Sequence, residues 1–200
     1  TTEQGKPLKQ ATGEVIGGIY QLRHYAAQRL EPAVLRETDK VRIIEHRTPL
    51  GVVAAITPWN FPFLMLPQKL GPALISGNTV IAKPAPTTPM CALMIGELAA
   101  EILPPGVLNV IVDNNDLGGH LSNHPDVAKI SFTGSTATGK KVYAAGADAM
   151  KRITLELGGN DAAIVLDDVD PKAIAPKLFN GAMVNAGQVC LAIKRVYAPS

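Results

Sequence analysis

The sequence predicts an α/β fold, an open parallel sheet with helices on both faces, and three observations carry that prediction. Short runs such as Val52-Val53-Ala54-Ala55-Ile56 are apolar without a break, as strands are when both their faces are covered. The segments between such runs carry apolar residues at three-and-four spacing, the helical period. From Val52 onward the two patterns alternate, which is the order of linked βαβ units.

Taken in order, residues 13–30 place Val15, Ile19, Leu22 and Ala26 on one helical face, and Pro32 ends the helix. Residues 41–47 read as a strand with its charges facing out, closed by the turn Thr48-Pro49-Leu50-Gly51. The strand Val52–Ile56 then runs into Thr57-Pro58-Trp59-Asn60-Phe61-Pro62. A helix over 63–75 stops at Ser76-Gly77-Asn78, and the strand 79–82 is closed by Lys83. The next pair is a helix over 89–102, broken by Leu103-Pro104-Pro105-Gly106, and a strand over 108–112; Cys91 lies among apolar residues of that helix and reads as core. A short helix at Leu117–Asn123 and a strand at 128–132 lead to the Gly134-Ser135 turn, which opens a helix to about Ala145. Strands over 152–157 and 162–166 flank Gly158-Gly159-Asn160. Asp170 before Pro171 is an N-cap with proline at the first helical position, so a last helix runs toward Val184.

Composition excludes several classes of function. A net charge of +2 over 200 residues gives no electrostatic footprint for nucleic acid, and no Lys/Arg run is interleaved with aromatics. No apolar stretch of about 18 residues exists for a membrane span, and the opening Thr1-Thr2-Glu3-Gln4-Gly5 lacks the shape of a signal peptide. Neither nucleic acid nor membrane is an expected partner. The two cysteines, Cys91 and Cys190, fit no metal-ligand spacing, which predicts free thiols, no metal and a cytoplasmic location. With no initiator methionine, the chain reads as a fragment.

The chemistry centres on Val184-Asn185-Ala186-Gly187-Gln188-Val189-Cys190-Leu191, a lone thiol in a small-residue loop. An activated thiol is a strong nucleophile at neutral pH, and small neighbours let a planar substrate approach it. Taken alone, Cys190 reads equally as a space-filling thiol. Gly134-Ser135-Thr136-Ala137-Thr138-Gly139-Lys140 lies at a strand-to-helix junction, where backbone N–H groups and the helix dipole favour a phosphate. The same stretch matches G-x-x-x-x-G-K, so a nucleoside-triphosphate-binding loop is the alternative, with Asp167 ending an apolar strand; Lys141 stands where that loop needs Ser or Thr. Glu156 alternates with Leu155 and Leu157 and reads as a general base or as a solvent-facing strand residue. Asn60 suits an oxyanion donor or a turn, and Lys83 closes a strand at the end where α/β sheets bind ligands. His120 and His124 are spaced i, i+4 without a third ligand and read as an exposed helix, while Asp167, Asp168 and Asp170 read as caps.

Five stretches together, Thr57-Pro58-Trp59-Asn60-Phe61-Pro62, Lys83-Pro84-Ala85, Phe132-Thr133-Gly134-Ser135, Leu155-Glu156-Leu157-Gly158-Gly159-Asn160 and Asn185-Ala186-Gly187-Gln188-Val189-Cys190, resemble the motif series of the NAD(P)-dependent aldehyde dehydrogenase superfamily in its order and spacing. The resemblance runs from about Glu3 to the end of the chain. It implies a Rossmann-like cofactor-binding domain over 1–30 and 50–158, a bridging hairpin over 31–49 for a homo-oligomer (dimer or tetramer), and the start of a second α/β catalytic domain over 159–200. It also implies oxidation of an aldehyde to a carboxylic acid with NAD or NADP. In that family the counterpart of Cys190 attacks the aldehyde, the Asn60 amide and the cysteine's own N–H hold the oxyanion, hydride passes to the nicotinamide, and Glu156 activates the hydrolytic water. By the same resemblance Lys83 binds the adenosine ribose beside Ala85 and Pro86, Gly134 and Ser135 meet the pyrophosphate, Leu157 and Gly158 lie against the nicotinamide, and Thr57, Pro58 and Trp59 shape the cofactor side. Many NAD-preferring members carry glutamate where this chain has Pro86, so the resemblance leaves NAD and NADP both open. Family members are more than twice this length, so an inactive fragment, or a non-catalytic one that keeps the fold, is the further expectation.

Overall fold

The computed structural model describes residues 1–199. Its centre is a five-stranded parallel sheet of order β5-β4-β3-β6-β7, built from β3 (Val52–Ile56), β4 (Thr79–Lys83), β5 (Leu108–Val110), β6 (Val127–Thr133) and β7 (Arg152–Glu156). The chain enters at the central strand, winds outward through α2 (Met65–Ile75) and α3 (Met90–Ala100), then returns across β3 to wind the other way through α4 (Leu117–Asn123) and α5 (Thr136–Ala147). This is a doubly wound sheet, and the reversal between β3 and β6 leaves a crevice at the strands' carboxyl ends.

Residue alternation in β3 assigns the two cores. Val53 and Ala55 face a cluster with Leu66, Leu70 and Val80 under α2 and α3; Ala54 and Ile56 face Leu121, Ile130, Phe132 and Val142 under α4 and α5. Ala54 and Ala55 are wholly buried, and their small side chains let helices pack close on both sides of the strand. α1 (Leu8–Ala26) lies across α2, and a Cβ at Gly18 would fall 2.5 Å from the Phe63 ring, so only glycine permits that approach. Outside the sheet, β1 (Ala33–Glu37) and β2 (Arg42–Glu45) form an antiparallel hairpin, and β8 (Asp161–Ile164) pairs in parallel with β9 (Ile193–Tyr197) on either side of α6 (Pro171–Met183). No helix among the described residues is long and apolar enough to cross a membrane.

The structure departs from the sequence expectations in several places, among them α1, which ends at Ala26 well before Pro32, and β8, which ends at Ile164. α1 starts at Leu8, since its first turn is polar and hides the period. β1 and β9 are strands that no alternation announced, because all of β1 and most of β9 is exposed. β5 stops at Val110. Cys91 is half-exposed rather than core: α3 is apolar on nearly every side, so spacing could not tell which side faces the sheet, and the buried residue is Ala92.

Candidate active site

A cleft of about 1160 Å³ opens at the β3/β6 switch point. Each parallel strand of the sheet ends in a loop that lines it, that of β5 through Asn115. After β3 come Thr57, Pro58, Trp59 and Asn60; the Thr57 N–H donates to the Lys83 carbonyl at 3.0 Å, which fixes the start of this loop against the end of β4. Lys83, Ala85 and Pro86 follow from β4. After β6, Gly134 lies against Phe132, where an added Cβ would stand 2.6 Å from the ring. Ser135 then caps α5, its Oγ accepting from the Thr138 N–H at 3.2 Å, and the first N–H groups of that helix open toward the crevice.

The loop that carries Cys190 closes the far wall. Three successive residues, Asn185, Ala186 and Gly187, have φ of 52°, 55° and 78°. Glycine and asparagine tolerate that region, whereas alanine there costs about 1–2 kcal/mol, so the turn must be held by its surroundings. The holding groups are polar and come from the amino-terminal segment. The Asn185 N–H donates to Gln10 Oε1 at 3.1 Å, Gln4 donates to Asn185 Oδ1 at 3.2 Å, and Asn185 Nδ2 donates to the Asn60 carbonyl at 3.1 Å. Cys190 is exposed on the cleft wall. Gly159 backs it: a Cβ there would stand 2.5 Å from the Cys190 carbonyl oxygen.

Asn60 is fixed from two sides. Its side-chain amide donates to the Gln188 carbonyl, and its own carbonyl accepts from Lys6 Nζ at 2.8 Å. Lys6 is buried, paired with the buried Glu14 of α1, and its ammonium stands 3.6 Å from the centre of the Phe61 ring. Glu14 Oε1 in turn accepts from the N–H groups of Phe63 and Leu64 at 2.9 and 3.1 Å, placing a negative charge where α2 begins. Sequence reasoning did not find Lys6, Glu14, Gln4 or Gln10. The one local signal was Gly17-Gly18 in mid-helix, which marks a close approach.

Other sequence-nominated residues stand apart from this wall. Gly158 lines the cleft, but Glu156 and Leu157 do not. Glu156 is the exposed last residue of β7, three positions before Gly159, and its backbone carbonyl accepts from the Gly134 N–H at 3.0 Å. Leu157 is spent on packing, since it fills the space over Gly139 of α5. Behind β6, Lys69 donates to Ser131 Oγ at 3.0 Å; burial pushes its ammonium down to about 8, with Glu156 pulling up and Lys129 pushing down. Lys83 Nζ lies 2.8 Å from Asp113 Oδ1, and both side chains are buried. Burial alone would raise the Asp113 carboxyl, but the Lys83 hydrogen bond and the Leu117 N–H hold it below the ordinary carboxylate value.

The phosphate-wrapping alternative is corrected by this geometry. Helix α5 begins at Thr136, so Thr136 to Gly139 are helical and Lys140 points to solvent, leaving no loop to wrap a triphosphate. Among the described residues no three His, Cys, Asp or Glu side chains converge on a common point.

The model of the aldehyde dehydrogenase family matches residues 1–200. The chain is 46% identical over 196 residues to a putative aldehyde dehydrogenase, FUS7, of Gibberella fujikuroi, covering 98% of this chain and 42% of that protein. The crystal structure of an NADP-dependent E. coli enzyme superposes with a TM-score of 0.90 at 40% identity, covering 98% of this chain and 42% of that one. The NAD+ complex of the Bacillus cereus aldehyde dehydrogenase superposes with a TM-score of 0.93 at 36% identity, covering 98% and 41%. The chain thus spans about 42% of the length of the curated relative it matches. With its motifs ringing one cleft in the family's order, the chain belongs to the aldehyde dehydrogenase family.

Proposed function

We propose that the protein oxidises an aldehyde to a carboxylic acid with NAD+ or NADP+, through a covalent adduct on Cys190. The observation that carries this reading is that Cys190 and Asn60 line the same cleft as Lys83, Gly134 and Ser135, the elements suited to a dinucleotide. The fit of a dinucleotide rests on the Gly134-Ser135 turn, which packs on Phe132 with no room for a side chain at Gly134, and on the first turn of α5, which reaches the cleft at Ser135 and Thr138. When bound, the nicotinamide supplies the hydride acceptor.

The chain's own residues do the rest. The Cys190 thiolate adds to the aldehyde carbon, turning the carbonyl oxygen into an oxyanion. An asparagine amide has two N–H donors. At Asn60 one of them is taken by Gln188 and fixes the orientation of the group, which leaves the second for that oxyanion without reorganisation. Glu156 takes the proton of the water that hydrolyses the acyl thioester; the support is its place just ahead of the Gly158-Gly159 turn, which touches the Cys190 backbone. Gly158 borders the nicotinamide side, with Leu157 packed behind it; Ala85 and Pro86 lie beside Lys83 on the adenosine side, and Thr57, Pro58 and Trp59 shape the cofactor side next to Asn60.

The division into a cofactor-binding domain, a hairpin over 31–49 and a catalytic domain from 159 is supported by the change of sheet after β7. Assembly as a homo-oligomer is supported by the hairpin's exposed Val34, Leu35, Val41, Ile43 and Ile44. A reducing compartment such as the cytoplasm suits an exposed nucleophilic thiol. The test is to incubate the purified full-length protein with a panel of aldehydes and each dinucleotide, following reduced nicotinamide and the Cys190 adduct by mass spectrometry. Reduction without an adduct at Cys190, or no reduction with any aldehyde, overturns the reading.

A further inference from the structure

We propose that Asp113 sets the cofactor preference: by neutralising Lys83 it makes the adenosine-ribose corner of the cleft select NAD over NADP. This rests on the dinucleotide reading above and assigns a role to a residue outside the motif series. The resemblance supplies no acid at this corner, since Pro86 occupies the position, so its charge is set by Lys83 and by whatever pairs with Lys83.

The pairing is built from three elements. Lys83 ends β4, and Asp113 follows the neighbouring strand β5. Lys83 Nζ stands 2.8 Å from Asp113 Oδ1, with side-chain exposures of 5% and 0%, while Asp113 Oδ2 accepts from the Leu117 N–H at 2.9 Å where α4 begins. The carboxylate therefore cannot swing away from the ammonium without breaking the start of a helix. Gly118 of α4 lies beside the corner, where a Cβ would come within ordinary contact of Lys83 Cε at 3.7 Å.

Donor counting shows what is left for a ligand. An ammonium has three N–H groups and no acceptor. One goes to Asp113, a second leans on the Pro84 carbonyl at 3.4 Å, and one remains toward the cleft, which Lys83 lines and Asp113 does not. A ribose 2′-hydroxyl needs only such a donor. A phosphate monoester in its place carries between one and two negative charges at neutral pH and needs uncompensated cations, best of all arginine. No arginine lines the cleft among the described residues. Lys141 belongs to α5 beyond β6, two strand spacings or about 10 Å from β4, and Lys194 belongs to the thiol loop. A 2′-phosphate at Lys83 would thus meet a neutral pair, with a buried carboxylate directly behind the ammonium.

The test is calorimetric titration of the purified protein with NAD+ and, separately, with NADP+, for the parent and for Asp113→Asn, which keeps the shape and removes the charge. The parent is expected to bind NAD+ about tenfold or more tighter than NADP+. Asp113→Asn is expected to tighten NADP+ binding by about the same factor while NAD+ stays within a few-fold, and Asp113→Glu is expected to restore the parent's preference. If Asp113→Asn does not fold, Asp113→Ser is read in the same way, and the parent's ratio stands by itself. A parent that binds NADP+ as tightly as NAD+, or a variant that loses both equally, overturns the role of Asp113 and leaves the dinucleotide reading intact. A parent that binds neither overturns both.

Discussion

The side-chain amide of Asn60 donates to the carbonyl of Gln188 at 2.8 Å, joining the loop after β3 to the loop that carries Cys190 across 128 positions of sequence. The proposed oxyanion donor is therefore bonded directly to the loop of the proposed nucleophile, before any substrate arrives. Pre-set geometry of this kind is what makes an amide worth orders of magnitude in rate.

In the full-length protein, replacement of Cys190 by alanine is expected to abolish aldehyde oxidation and to leave dinucleotide affinity within a few-fold. The thiol belongs to a different loop from Lys83 and Ser135 and is exposed. Steady-state assays beside a binding titration decide the matter; near-normal turnover in Cys190→Ala removes the thiol from the mechanism.

Glu156→Gln keeps the shape of the side chain and loses the proton acceptor. Hydrolysis of the acyl thioester should slow more than its formation, giving a burst of reduced nicotinamide before a slow steady state. Stopped-flow traces without a burst would transfer the role of Glu156 to activation of the thiol.

Glu14→Ala leaves the Lys6 ammonium buried without its partner and takes the acceptor from two N–H groups at the head of α2. Breaking a buried pair in this way costs about 3–5 kcal/mol. Because Lys6 also grips the Asn60 carbonyl, turnover should fall more than substrate affinity. Denaturant melts and kinetics together test this, and an unchanged midpoint contradicts it.

Lys69 makes stability depend on pH with a definite sign. Its ammonium titrates at about 8 in the fold against 10.5 ordinarily, chiefly because burial disfavours the charge. Below about pH 8 both folded and unfolded chains hold the proton, and the cost of the buried charge is fully felt. Between those two values the unfolded chain keeps a proton that the folded chain has released, so stability rises with pH, by about 3 kcal/mol in all. Lys69→Met should be the more stable protein near neutrality and lose that advantage toward about pH 10. An advantage that stays constant across denaturant melts at the two pH values refutes the account.

Much of this architecture was legible because its signals are local. Val52–Ile56 announces a strand covered on both faces by composition alone, and Asp170-Pro171 announces a helix start within two residues, where Asp170 Oδ1 does accept from the Lys172 N–H at 2.9 Å. The cleft loops follow from strand ends, which alternation locates. The supports of the site were not legible, because each is a pairing between distant segments: Lys6 with the Asn60 carbonyl, Gln10 with Asn185, Lys83 with Asp113. A lysine near the start of the chain reads as solvated until the fold buries it. Glu156 and Leu157 show a related limit, since alternation tells which residues of β7 share a face and not which of them reaches the cleft.

The central place of β3 also dictates an order of assembly. Its partner β4 follows after one helix, whereas β6 arrives only after two more helices and two more strands, so closing the β3/β6 seam costs more chain entropy. The expected course is that β3, β4 and β5 dock with α2 and α3 first and that β6 and β7 add afterwards; pulse-labelled hydrogen exchange should protect β4 amides before those of β7, and simultaneous protection would contradict it. The crevice lies on the seam made last. A dinucleotide has nothing to hold in the half-built sheet, so adding it during refolding should leave the folding rate unchanged and slow only unfolding.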